Sequence, residues 1–216
     1  MTSSSHAPRL EAAFARLPLV AILRGLPPGD AEPIASALYE AGFRLIEVPL
    51  NSPEPFQSIA AIRRLLPQDA LVGAGTVLRP EDVDRLAAIG AELVVMPHAD
   101  AAVIRAAAQA GLLCVPGVAT PTEAFAALAA GAAALKIFPA EMVGPPVVKA
   151  LLAVLPRGTR LLPVGGIAPD GMAPFRAAGA AGFGLGSALY KPGMSAMEVA
   201  GRARDFTAAW AALSQG

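Results

Sequence analysis

The chain has 216 residues, of which 55% are apolar, 5% aromatic and 16% charged, with 17 Lys+Arg against 17 Asp+Glu. That apolar fraction excludes a disordered chain, and the length is enough to bury a core without a metal or disulfide staple. Zero formal charge argues against a nucleic-acid partner, which calls for a basic surplus, and a single cysteine points to a reducing cytoplasm.

The mean hydropathy is high, +0.54. A membrane span needs about 20 consecutive apolar residues. The densest stretch, 124–138, is mostly alanine and is interrupted by Gly131 and Lys136. At the N-terminus, Arg9 and Arg16 precede an apolar run at 17–23. Pro18 interrupts that run, and Arg24 ends it with no small-residue cleavage site. It reads as a first strand, and neither export nor membrane insertion is expected.

In chain order, residues 1–8 read as a disordered tail and 9–16 as a short leading helix. Runs rich in Val, Ile and Leu then follow at 19–23, 45–48, 71–73, 93–96, 113–115, 135–138, 161–164 and 182–185. Each is short, continuous and flanked by Gly or Pro, as buried parallel strands are. Between them lie alanine-rich stretches at 30–41, 53–65, 80–89, 100–110, 120–130, 145–155 and 170–178, with a last helix at 195–213. Starts carry capping chemistry, notably Asp100 and Thr120-Pro121-Thr122-Glu123. Ends carry glycine, as in Ala41-Gly42 and Ala130-Gly131. Eight strand–helix units in about 195 residues predict an α/β fold, a single-domain (β/α)8 TIM barrel over 9–216. A doubly wound open sheet is the alternative, but its phosphate turn is absent: Arg24-Gly25-Leu26-Pro27-Pro28 is no GxGxxG.

In such a barrel, functional groups sit at the C-terminal ends of strands. Lys136 stands out there. The chain has three lysines against fourteen arginines, and Lys136 alone lies inside a strand, between Leu135 and Ile137. A desolvated lysine loses its proton more readily, and a free amine attacks ketones to form a Schiff base. The residues alone leave three readings open: imine chemistry, an ion pair with Glu47, or a plain cation for phosphate. Glu47 is the one carboxylate inside a predicted strand near its C-terminal end. It reads as a general acid/base, the alternative being a salt bridge to Arg24 or Lys136.

Val164-Gly165-Gly166 and Gly184-Leu185-Gly186-Ser187 follow the last two strands. With a short helix beginning at Ser187, they predict a phosphate cradle of backbone N–H groups. Thr76 follows a Gly-Ala-Gly turn and reads as a carboxylate contact or a helix cap. Arg24 is a candidate anion contact, and Phe138, on the strand parity of Lys136, a wall of its pocket. His98 reads as a solvent-facing loop residue and Cys114 as core filler. No metal-ligand spacing is present, so neither a metal nor another cofactor is expected.

Five motifs occur in order: Leu19-Val20-Ala21-Ile22-Leu23-Arg24-Gly25, Ile46-Glu47-Val48-Pro49-Leu50-Asn51-Ser52-Pro53, Gly73-Ala74-Gly75-Thr76-Val77-Leu78, Leu135-Lys136-Ile137-Phe138-Pro139 and Val164-Gly165-Gly166-Ile167. Together they resemble the bacterial class I aldolases that cleave 2-keto-3-deoxy-6-phospho sugar acids. The resemblance implies a homotrimeric barrel acting on a phosphorylated keto acid to give pyruvate and D-glyceraldehyde 3-phosphate. It places Lys136 on the Schiff-base lysine and Glu47 on the general acid/base. Arg24, Thr76, Gly165, Gly166, Gly186 and Ser187 fall on substrate positions, the last four at the phosphate. Members of the phosphogluconate type carry Arg-Thr where this chain has Asn51-Ser52, and Thr where it has Val164. Both departures look like the phosphogalactonate branch, whose substrate differs at C4. The alternatives are the phosphogluconate branch and a silent sugar-phosphate-binding barrel.

Overall fold

The computed structural model describes residues 6–213. The five residues before His6, most of the expected tail, lie outside the described part. The first helix, α1 (Ala7–Arg16), begins two residues before the expected position. Pro8 suits that start, because a first-turn residue needs no N–H.

Nine parallel strand segments follow, with helices between them: β1 (Leu19–Ile22), α2 (Pro28–Glu40), β2 (Leu45–Pro49), α3 (Pro55–Leu65), β3 (Leu71–Gly75), α4 (Pro80–Ala88), β4 (Leu93–Val95), α5 (Ala101–Gln109), β5 (Leu113–Val115), β6 (Gly117–Val118), α6 (Pro121–Ala130), β7 (Leu135–Ile137), α7 (Pro145–Val154), β8 (Leu161–Pro163), α8 (Met172–Ala177), β9 (Phe183–Leu185) and α9 (Ala196–Leu213). A short 3-10 turn, Pro169–Gly171, leads into α8. The segments make eight staves. β5 and β6 are one run divided at Pro116, β5 pairing with β4 and β6 with β7. One sheet runs β5-β4-β3-β2-β1-β9 and the other β6-β7-β8. A Val164–Gly184 bridge joins them and closes the barrel, so the open doubly wound alternative does not hold.

Local chemistry explains the helix limits. Asp100 accepts from the N–H groups of Ala102 and Val103. Thr120 and Glu123 form a reciprocal capping box, and Gly131 ends α6 with φ +108°, a conformation that side chains avoid.

The strands alternate strictly between two environments. Leu19, Ala21, Ile46, Val48, Leu135 and Ile137 pack outward against the helices. Val20, Leu45, Leu71, Leu93, Val115 and Leu162 fill the barrel interior. Each such side chain contributes about 1.5–3 kcal/mol by burial. Leu10 and Ala13 of α1 close the bottom of that interior. The two-residue period then puts Glu47 and Lys136 on the inward parity, above an apolar floor. No helix among the described residues is long and apolar enough to cross a membrane.

Candidate active site

Glu47 sits on β2 at 2% exposure. Its Oε2 is buried and has no hydrogen-bond partner among the described residues. Burial pushes its carboxyl up to about 7, opposed by the charges of Lys136 and then Arg24. Gly75, at the end of β3, makes room for it. A Cβ there would lie 1.5 Å from Glu47 Oε2, so only glycine fits. Lys136 sits on β7 at 6% exposure. Burial holds its amine below the ordinary lysine range; Glu47 opposes this and Arg24 adds to it. Its Nζ lies 4.4 Å from the centroid of the Phe138 ring, a cation–π distance. A small cavity of about 10 Å³ is bordered by both groups, with Val20, Val95, Val115 and Leu162 as its apolar wall.

Above Lys136 opens a cleft of about 640 Å³. Arg24, Phe138, Val164, Gly165, Gly166, Gly186 and Ser187 all line it, so most of the expected site residues meet in one place. Glu47 contributes to the small cavity rather than to the cleft wall. Thr76 is not part of the wall of either space. It is half-buried just beyond Gly75, in a left-handed conformation with φ +54°.

Two alternatives fall away and one expectation needs correcting. Arg24 forms no ion pair with Glu47; its Nη1 donates to Asn51 Oδ1 at 2.9 Å. Beside it, the Gly25 N–H donates to Ser52 Oγ at 2.9 Å, tying the loop after β1 to the loop after β2. Lys136, likewise, forms no ion pair with Glu47 and acts on it only through space. The helix expected from Ser187 is a single turn, in which the N–H groups of Leu189 and Tyr190 bond to the Gly186 carbonyl at 2.9 and 3.0 Å. It stops because Pro192 offers no N–H and Gly193 is left-handed, at φ +84°. The turn still presents N–H groups at its start, those of Ser187 and Ala188, which take no part in those bonds.

Four polar side chains of the cleft lie outside the sequence expectations: Glu141, Tyr190, Lys191 and Arg202. Lys191 had a visible signal, lying in a Tyr-Lys-Pro-Gly loop just beyond the expected cradle. Arg202 had none, since it lies on α9, whose facing no strand pattern fixes. Besides the Lys136 amine, the cleft therefore carries three cationic side chains (Arg24, Lys191 and Arg202) against one carboxylate, that of Glu141, among its described lining residues. Such a wall favours an anionic ligand.

Outside the cleft, His98 is exposed and Cys114 buried, as expected. Burial pushes the Cys114 thiol up to about 12, which makes it inert. Among the described residues, no group of three His, Cys, Asp or Glu side chains is placed to hold a metal. An amine whose proton affinity is lowered by burial, a buried carboxyl whose proton affinity is raised, and an anion-attracting wall together suit imine chemistry on a small acidic ketone.

Comparisons with known proteins identify the family. A family model described as KDPG and KHG aldolase matches residues 10–203. A probable 2-dehydro-3-deoxy-6-phosphogalactonate aldolase of Rhizobium meliloti (strain 1021) is 51% identical over 199 residues, covering 92% of this chain and 94% of its own length. The 2-dehydro-3-deoxy-6-phosphogalactonate aldolase of Escherichia coli (strain K12) is 50% identical over 195 residues, covering 90% of this chain and 95% of its own. A solved structure described as native KDPGal superposes with a TM-score of 0.91 at 49% identity, over 93% of this chain and 97% of the other. The chain belongs to the KDPG and KHG aldolase family.

Proposed function

We propose that the chain cleaves 2-dehydro-3-deoxy-6-phosphogalactonate to pyruvate and D-glyceraldehyde 3-phosphate through a Schiff base on Lys136. The observation that carries this reading is the placement of Lys136 and Glu47 together on the inward face of a dry barrel, with opposite shifts in proton affinity. The neutral amine attacks the C2 ketone, and loss of water gives an iminium. That cation accepts the bonding pair of C3–C4 as Glu47 takes the C4 hydroxyl proton. The aldehyde leaves, the enamine is protonated at C3, and water releases pyruvate and the free amine. The Gly165-Gly166 and Gly186-Ser187 segments hold the phosphate by backbone N–H groups. Arg24 supplies an anion contact in the cleft, and Thr76, which lies just beyond Gly75 and outside the cleft wall, is the carboxylate contact that the family resemblance implies.

The branch assignment rests on two walls. Val164 turns an apolar side chain into the cleft at 7% exposure. It gives a hydroxyl at C4 no partner on that side, which separates epimers. Asn51 holds Arg24 in place of a second cation. The curated relatives of 50–51% identity carry the phosphogalactonate name, which supports the same branch. The proposal includes a cytoplasmic homotrimer. The lone, buried Cys114 suits a reducing compartment. Exposed Phe125, Met142 and Val147 offer apolar surface for a subunit contact, and light scattering at the mass of one chain would contradict the trimer.

A coupled pyruvate-release assay with the two C4 epimers side by side tests class and branch together. The galactonate epimer should be the faster substrate. Preference for the gluconate epimer moves the chain to the other branch, and no pyruvate from either leaves a silent sugar-phosphate-binding barrel.

A further inference from the structure

We infer that Arg202 is a positioning residue for the phosphate subsite, an inference that rests on the aldolase reading above. It lies on α9, far in sequence from the expected cradle, yet it lines the same cleft and is half-buried. Its Nη1 donates to the carbonyl oxygens of Ser187 and Ala188, both at 3.3 Å. A planar trans peptide points its C=O and its N–H in opposite directions. Drawing the Ser187 carbonyl toward Arg202 therefore turns the Ala188 N–H the other way, as a donor for an anion. The same contact leaves guanidinium donors over, since the group has five.

Arg202 is also the best-placed cation for that task. Lys136 is committed to the ketone and Arg24 is held by Asn51. Lys191 is exposed, so solvent and salt screen it more. Glu198, one turn earlier on α9, feels the Arg202 charge, but its Oε2 is already taken by the N–H and hydroxyl of Ser195. A half-buried guanidinium in a fixed geometry therefore sets both the aim of the turn and its local positive potential.

The test uses Arg202→Gln and Arg202→Lys with glycerol 3-phosphate as the probe, a phosphate ester that lacks the reacting ketone. Binding is measured by titration calorimetry at fixed salt, and each protein is also treated with pyruvate and borohydride. Arg202→Gln should weaken glycerol 3-phosphate about tenfold, Arg202→Lys should recover most of that loss, and pyruvate trapping should match wild type in both. In turnover the Gln variant should raise KM and largely keep kcat. Glycerol 3-phosphate binding to Arg202→Gln within twofold of wild type overturns the inference. So does a parallel fall of phosphate binding and pyruvate trapping, which marks a mere fold staple. A wild-type enzyme that binds glycerol 3-phosphate but traps no pyruvate overturns the aldolase reading instead, while the loss in Arg202→Gln still upholds the anion role.

Discussion

Each end of the barrel buries one carboxylate, and the two are treated in opposite ways. At the N-terminal end, Glu92 is 4% exposed and fully engaged. It pairs with Arg9 through Oε1, and with Arg63 Nη1 at 2.7 Å and the Val72 N–H at 3.1 Å through Oε2. At the C-terminal end, Glu47 is 2% exposed, and its Oε2 has no hydrogen-bond partner among the described residues. Burial alone does not separate them; partners do. A buried carboxylate with two guanidinium partners and a backbone donor has its oxygens taken and ties α1 and α3 to the barrel floor. A buried carboxylate without them stays poised to exchange a proton near neutrality. One end holds the fold together, and the other leaves a buried carboxyl free for the chemistry proposed above.

The largest effect that sharpens this contrast is Lys136→Ala. Pyruvate release should fall by at least about 10⁴-fold, with the thermal midpoint close to wild type, because the proposed nucleophile is gone. Retained turnover would remove Lys136 from the reaction. At the other end, Glu92→Ala should leave Arg9 and Arg63 uncompensated and cost about 3–5 kcal/mol in denaturant unfolding. The folded variant should still trap pyruvate, so an unfolding curve like that of wild type would break the comparison.

Glu47→Gln should slow turnover about 10²–10³-fold and still permit trapping. It should also erase the acid limb of the rate profile near pH 7, where the wild-type carboxyl titrates. Its stability has a definite sign. Because the folded-state value is raised from 4.5 to about 7, the folded protein keeps a proton that the unfolded chain has lost. Wild-type stability therefore falls as pH rises through that window. Relative to wild type, Glu47→Gln should gain on the order of 2–3 kcal/mol between pH 4 and pH 8, read as a pH-dependent difference in unfolding. A flat difference would mean that Glu47 is not desolvated. The smallest effect is expected for Val164→Thr. It should shift the preference between C4 epimers by about tenfold toward the gluconate form, measured as a ratio of kcat/KM values.

The features legible in the sequence were those with short-range causes. Eight buried apolar runs, glycine helix ends and the Thr120–Glu123 capping box are written in neighbouring residues, and they specify the barrel. Parity along a strand likewise places Glu47, Lys136 and Phe138 inward. What stayed hidden depends on contacts between distant residues. The void beside Gly75 that admits Glu47 is visible only once β2 and β3 pair, with Glu47 opposite Gly73 and Pro49 opposite Gly75. Arg24 finds Asn51 rather than Glu47 because two loops meet above the sheet. The turn at Ser187 stops early because of Pro192 and Gly193, which follow the motif that suggested a helix. Arg202 reaches the cleft from α9, whose apolar residues do not say which loop its charged side faces.

The central claim is that Lys136 carries the substrate as an imine, and borohydride reduction in the presence of pyruvate tests it most directly. Intact mass should show one pyruvyl adduct per chain, and peptide mapping should place it on Lys136. No adduct, or an adduct on Lys149 or Lys191, would contradict the account.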